Sequence, residues 1–413
     1  MFISFRNLSG QIIYETKAEF NIQNLKYEFG NYLQSSPDCI HFSEPVYISN
    51  NKIIIDTLIA KGSLENDTEL CNQMNCYIRK YDTRVSIISY QPSLKIQNID
   101  NITHLTNLHT IEMYSANINT LPEDIHFLYN LTKIFINFCH KLEILPNNLS
   151  LCSKLKIISI KNCFQLKGNI SNDLCCIQNL NIIDFFGCRQ LKGSLTKIGE
   201  NIKELNLSYC KNIQFNPHCL NYSSHLESLF LYGFNICNYY NLNTISSLVI
   251  LIINNENLEG NMEIELKQLY QLETLKLENC RKVTGQILNN LKNWTQLKVL
   301  DLNSSINLTG CIPHHGINNS NLKYLNLSGC SGLYGKVPYT ILNIEDVNLS
   351  NCKNLNTIYW PNSKKKIQDR KINWKIRKLD LSHCPNMCFK FNRLMDCNNL
   401  RDINYDNTNI YQT

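Results

Sequence analysis

The chain has 413 residues, 43% of them hydrophobic and 18% charged, a balance that excludes a disordered tail and suffices for more than one domain. A net charge of +6 is too small for this length to draw nucleic acid or a membrane to the whole surface, so any basic site has to be local. No run approaches the ~20 apolar residues of a membrane-spanning helix, and Met1-Phe-Ile-Ser-Phe-Arg6 lacks a basic leader with an apolar run behind it, so a cytoplasmic protein is expected, with the nucleus also open to it.

The first elements are two strands in Met1 to Thr16, joined by a turn at Asn7 to Gly10. Asn21-Ile-Gln-Asn-Leu-Lys-Tyr-Glu-Phe29 comes next as an amphipathic helix with Ile22, Leu25 and Phe29 on one face and Asn21 as its N-cap. Further strands are predicted at Cys39 to Phe42, Val46 to Ile48 and Cys76 to Arg79. Hairpin, helix and later strands describe a small β-grasp domain over residues 1–82. The segment resembles ubiquitin-like domains in its Asn7-Leu-Ser-Gly10 turn and its Asn21 to Lys26 helix entry. The resemblance implies that Leu8 is an exposed contact residue. His41 stands where that family has its central isoleucine, and the absence of a terminal Gly-Gly makes the domain a fixed adaptor instead of a conjugated modifier. The alternative is a cap over the apolar end of the long segment that adjoins it.

Beyond residue 82 one pattern recurs, L-x-x-L-x-L-x-x-C-x-x-L, with apolar residues at the L positions. It begins at Leu108, Leu131, Leu155, Leu180, Ile202, Leu226, Leu248, Leu272, Leu297, Leu322, Ile344, Ile376 and Leu400, at intervals of 22 to 25 residues with one of 32. Stepping back 23 residues from Leu108 reaches Val85, with Ile88, Tyr90, Ser93 and Ile96 on the same offsets, so Val85 is expected to open a degenerate capping repeat. The L-x-L core alternates with period two, which makes a short strand with the leucines inward and the residues between them outward. A single repeat cannot bury its apolar face, so the repeats must stack. Cys139, Cys163, Cys188, Cys210, Cys280, Cys330, Cys352 and Cys384 fill the ninth position, where a small, buried, weakly donating side chain suits the turn after the strand. These cysteines read as scaffold. Neighbouring repeats would hold them ~4.8 Å apart, inside disulfide range, so a reducing compartment suits them.

Residues 83–413 resemble the leucine-rich-repeat family. Leu308-Thr-Gly-Cys-Ile-Pro313 and Leu333-Tyr-Gly-Lys-Val-Pro338 look like the L-x-G-x-I-P element of plant-type repeats, and Leu322 to Cys330 looks like the repeats of intracellular plant immune receptors and cysteine-containing substrate adaptors. The fold class this implies is α/β: a leucine-rich-repeat solenoid of about 14 repeats, a horseshoe with a curved parallel sheet, preceded by the β-grasp domain.

Residues flanking the inward leucines face the concave side. Tyr114, Phe135, Phe138, Phe186, Tyr209, Phe230 and Tyr232 give its first half an aromatic surface, while Asp301, Asn326, Asp346, Asn348, Asp380, Asp402 and Asn404 make the second half polar and mildly acidic. Exposed aromatics on adjacent rungs suit a protein interface, and the aromatic half is the expected anchor. The competing reading has the rings packing only on one another. The 32-residue interval inserts a loop near residues 359–375 with Lys364, Lys365, Lys366, Arg370 and Lys371, which reads first as a solvated loop and otherwise as an import signal or acidic-partner site.

Catalysis is not expected, since no nucleophile elbow, zinc-protease or phosphate-cradling motif occurs. Cys311 with His314 and His315, and His383 and Cys384 with Cys388 and Cys397, lack paired zinc-site spacing, so neither metal nor cofactor is predicted. The expected function is protein-protein interaction through the concave face. A substrate adaptor in ubiquitin-dependent turnover is the alternative. Nucleic acid and membrane are not expected partners, and the short stretch after Thr408 leaves the solenoid end open to dimerisation.

Overall fold

A computed structural model of the protein describes residues 108–411 apart from residues 117, 171, 216, 235–241, 314–320, 360–373, 391–393 and 395–396, together with residue 103 and five strands upstream. The chain forms two compact units, Met1–Ser194 with Cys210–Ile213, and Leu195–Tyr209 with Gln214–Thr413.

In the first unit Phe2–Arg6 pairs antiparallel with Ile12–Lys17, as the opening hairpin predicts, and Tyr47–Ser49 pairs antiparallel with Lys52–Ile54. The helix expected from Asn21, the strands at Cys39 and Cys76, and Leu8 lie outside the described residues. Five parallel strands come next, at Arg84–Ile88, Thr110–Tyr114, Lys133–Asn137, Ile157–Lys161 and Ile182–Asp184. Ile111, Ile134, Ile158 and Ile183 stand side by side at the fourth pattern position, each wholly buried. The first of these strands corrects the expected register. Val85 faces Ile111 and Ile87 faces Met113, so Val85 holds the fourth position and not the first. Val85 with Ile87 alternates as well as Ile88 with Tyr90 does, and alternation alone cannot fix register.

The second unit adds nine parallel rungs, Glu204–Asn206, Ser228–Tyr232, Ile250–Asn254, Thr274–Glu278, Val299–Asp301, Tyr324–Asn326, Asp346–Asn348, Lys378–Asp380 and Asp402–Asn404. The two sets together number the fourteen rungs expected from the repeats. Behind them the chain returns through short 3-10 turns such as Ile287–Lys292 and through a second layer of parallel strands that includes Tyr334–Pro338 beside Asn354–Tyr359. The L-x-G element builds that layer. Gly193, Gly285, Gly310 and Gly335 there have positive φ, and in the first unit a Cβ on Gly193 would lie 2.6 Å from the Ile170 carbonyl oxygen.

One residue per rung decides how long the strand is. Seven rungs have Asp or Asn at the fifth position: Asp184, Asn206, Asp301, Asn326, Asn348, Asp380 and Asn404. In each, Oδ1 accepts from the backbone N–H two residues on, at 2.9 to 3.3 Å. All seven strands stop at that residue, at three residues. Where the position holds Ser86, Glu112, Phe135, Ser159, Phe230, Ile252 or Lys276, the strand runs for five. The side chain offers the backbone a local turn in competition with further pairing.

Beyond each strand the eighth position is left-handed in twelve repeats, held by Ser115, Phe138, Asn162, Gly187, Tyr209, Gly233, Asn279, Ser304, Gly329, Asn351, His383 and Asn407. The repeat from Leu248 has no such residue. Its turn is one residue shorter, so Asn255 is buried and donates to the Phe234 carbonyl at 2.9 Å, while Glu256 at the counted ninth position is exposed.

The ninth-position cysteines are buried thiols. Cys188, Cys210, Cys330, Cys352 and Cys384 aim Sγ at the sixth-position carbonyl of the preceding repeat, at 2.9 to 3.2 Å, and Ser305 does the same to Leu277 at 2.8 Å. Burial pushes the thiols of Cys210, Cys280 and Cys330 up to about 12, and those of Cys152 and Cys219, elsewhere in the core, equally far. Cys163 is the exception. Hydrogen bonds from Cys139 and Cys188 favour its ionised form and so lower its pKa, while theirs rise.

Candidate partner-binding face

The outward residues of the rungs build the face. In the first unit Tyr114, Phe135, Phe138 and Phe186 all stand on it, each half-buried. Tyr114 and Phe138 pack edge to face with centroids 5.5 Å apart, so these two rings do lean on one another. Phe135 lies in register between Glu112 and Ser159. Beside Phe186, the buried Asp184 pairs with Lys161 Nζ at 2.6 Å. The aromatic row is longer than the strand pattern alone predicts. His140 lies 6.1 Å from Phe138 and stacks on Phe164 at 5.2 Å, and the Arg189 guanidinium sits 5.4 Å from the Phe164 centroid. His140, Phe164 and Arg189 all hold the tenth position of their repeats, a periodicity that was open to view in the sequence.

Phe138 carries its ring at φ 56°. A left-handed backbone costs a non-glycine residue about 1–2 kcal/mol, and a bulky ring there calls for a reason. Phe138→Asn keeps a residue that tolerates this conformation and removes the ring, so stability should stay within about 1 kcal/mol of wild type in chemical denaturation, backbone relief offsetting the lost burial. A loss above about 2 kcal/mol would make the ring a piece of scaffold.

In the second unit Tyr209, Phe230 and Tyr232 are likewise half-buried. Tyr209, at φ 65°, tilts against Tyr232 with centroids 5.3 Å apart, and its ring lies over Gly233, where an added Cβ would meet Cδ1 at 3.0 Å. Phe230 sits between Asn206 and Ile252, and Ile250 and Ile252 extend the apolar surface. Farther along, Tyr324 donates from Oη to Asp301 Oδ2 at 3.5 Å. Burial first, and then the neighbouring carboxylates, raise the pKa of both tyrosines: Glu278 acts on Tyr232 and Asp301 on Tyr324.

Of the polar residues expected here, Asp301, Asn326, Asn348, Asp380 and Asn404 spend one oxygen on their own strand ends, whereas Asp346 and Asp402 stand at the third position and take no part in those turns. Lys364, Lys365, Lys366, Arg370 and Lys371 lie outside the described residues, as do His314 and His315. Cys384 belongs to the thiol column, and among the described residues no group of three or more His, Cys, Asp or Glu is arranged to hold a metal ion. Among the same residues no helix is long and apolar enough to cross a membrane.

No protein-family model matches the chain, and no curated protein does. Solved structures do. The leucine-rich-repeat ectodomain of the Arabidopsis receptor kinase HAESA, in complex with a peptide hormone, is 14% identical with a TM-score of 0.57, over 86% of this chain and 61% of that one. The same receptor with its hormone and a co-receptor is 19% identical with a TM-score of 0.52, over 80% and 59%. A leucine-rich-repeat protein of Leptospira interrogans is 16% identical with a TM-score of 0.46, over 84% of this chain and all of that one. The chain thus spans about three fifths of the HAESA ectodomain, and what they share is the repeat fold.

Proposed function

We propose that this leucine-rich-repeat chain is a protein-interaction scaffold that anchors its partner on the aromatic part of the sheet face. The observation that carries the reading is the pair Phe138 and Tyr209, two large rings held outward on left-handed backbone at the eighth position, where Gly, Asn or Ser serves in most other repeats. Strain retained against an available alternative is characteristic of a working surface. HAESA, on the same fold, binds a peptide hormone, which supports a polypeptide as the kind of ligand. A reducing, intracellular setting fits the column of buried thiols.

The test compares quantitative affinity purification by the full chain and by variants. Phe135→Ala in the first unit and Phe230→Ala in the second should each deplete proteins of the wild-type set by tenfold or more, as truncation of a hot-spot ring does at ~1.4 kcal/mol or above. Tyr270→Ala, 54% exposed and off the face, should leave the set intact. Retention of the whole set by both face variants would overturn the reading.

A further inference from the structure

The face of the second unit changes character between Tyr232 and Asp406, and the change is one of sign. At the third, fifth and seventh positions of the last five rungs, Asp301, Asp346, Asp380, Asp402 and Asp406 stand against a single base, Lys378, in a chain whose net charge is +6. Acid is therefore gathered on this face against the balance of the chain. Tyr324 stands in register between Val299 and Asp346 with its hydroxyl on Asp301. Tyr232, beside Tyr209, feels the charge of Glu278.

We infer that this face takes an extended polypeptide segment carrying several Lys or Arg side chains. The inference rests on the reading that the sheet face is the partner surface, and it names the chemistry of what lies there. A phenol ring with carboxylates beside it suits a guanidinium or ammonium group, which gains from the ring face and from charge-assisted hydrogen bonds together. Rungs repeat every ~4.8 Å, while an extended segment laid across them advances ~3.3 Å per residue, so alternate side chains fall ~6.6 Å apart and flexible basic stems reach carboxylates one or two rungs away. Nucleic acid has the wrong sign for this surface. A divalent ion would need three clustered ligands, which the described residues do not provide. Asp346 and Asp402 are the informative positions, because neither closes a strand-end turn and so amidation there spares the fold.

The experiment titrates the full chain into a fluorescent synthetic peptide of alternating Arg and Ser and follows anisotropy at low and at physiological salt. Binding is expected, weakening with salt, and the Asp346→Asn, Asp402→Asn double variant should bind about tenfold more weakly with a shallower salt dependence. An alternating Glu and Ser peptide should not bind. Equal affinity of the double variant, equal capture of the acidic peptide, or displacement by spermidine at the same charge concentration would each overturn the inference, the last by making any polycation sufficient. If the Arg peptide fails while Phe230→Ala still abolishes capture of the protein set, the scaffold reading stands and only the basic segment falls.

Discussion

Between pH 9 and pH 11 the protein should lose its repeat fold in a cooperative step, driven by thiols that cannot ionise where they are. Cys152, Cys210, Cys219, Cys280 and Cys330 have folded pKa values raised by burial to about 12, from about 9 in the open chain. The sign comes from proton counting. Below pH 9 both states keep the proton and the thiols are indifferent to pH. Above it the unfolded chain binds fewer protons than the folded one, so stability falls by about 1.4 kcal/mol per thiol per pH unit until the folded pKa is passed. At pH 10 five such thiols remove about 7 kcal/mol, on the order of the whole stability of a domain. Serine provides the control, because Ser305 already occupies the column and donates to Leu277 at 2.8 Å. The triple variant Cys210→Ser, Cys280→Ser, Cys330→Ser should keep the donors, lose the titration and move the alkaline midpoint, read by far-ultraviolet circular dichroism, upward by at least about half a pH unit. An unmoved midpoint would mean that lysine and tyrosine titration governs alkaline unfolding.

The second large effect belongs to Trp294. It is completely buried behind the rungs of the second unit, and its indole N–H donates to the Leu266 carbonyl at 3.3 Å. Around it Asn290 ties the Ile287–Lys292 turn to the Glu263 carbonyl at 2.8 Å. Trp294→Ala empties a volume that neighbouring repeats cannot close, since each is held by its own ladder, and takes the indole donor from the Leu266 carbonyl, which still accepts from the Leu269 N–H at 3.2 Å. A loss of about 3–5 kcal/mol in urea denaturation is expected, with Trp294→Phe recovering most of it and leaving about 1 kcal/mol for the missing hydrogen bond. A loss below about 1.5 kcal/mol for the alanine variant would show that the back layer collapses freely. Because stability in stacked repeats is a sum of nearest-neighbour terms, hydrogen exchange should quicken most around Leu266 and Leu297 and fade with distance along the chain.

How much of this was legible in the sequence depends on which residues carry their own signal. Leucines and cysteines at fixed offsets announce both the rungs and the thiol column, because burial at those positions tolerates few alternatives. Val85 misled because two alternating pairs three residues apart satisfy the same pattern, and only the hydrogen bonds to Thr110–Tyr114 choose between them. Asn255 was hidden by a one-residue shortening that a fixed template counts past. Asp301, Asn326, Asp380 and their equivalents look in the sequence like partner-facing polarity, since a sequence does not show that an oxygen two residues from an amide will turn back to it. The seven aromatics stand where period-two alternation and the turn after it put them. The stack that continues through His140, Phe164 and Arg189 was missed because these residues lie beyond the strand, where period-two reasoning stops.

The fifth position also separates what the face presents from what holds it in place. Apolar residues at the fourth and sixth positions, mostly Leu, Ile and Val, hold the core of nearly every repeat, and the residue between them sets strand length by whether or not it is Asp or Asn. Variation at that one site can redraw the local texture of the surface without any renegotiation of packing beneath it. A substitution at that one site therefore changes both the length of a strand and the side chain it shows to a partner, while the interior goes on holding the repeat together.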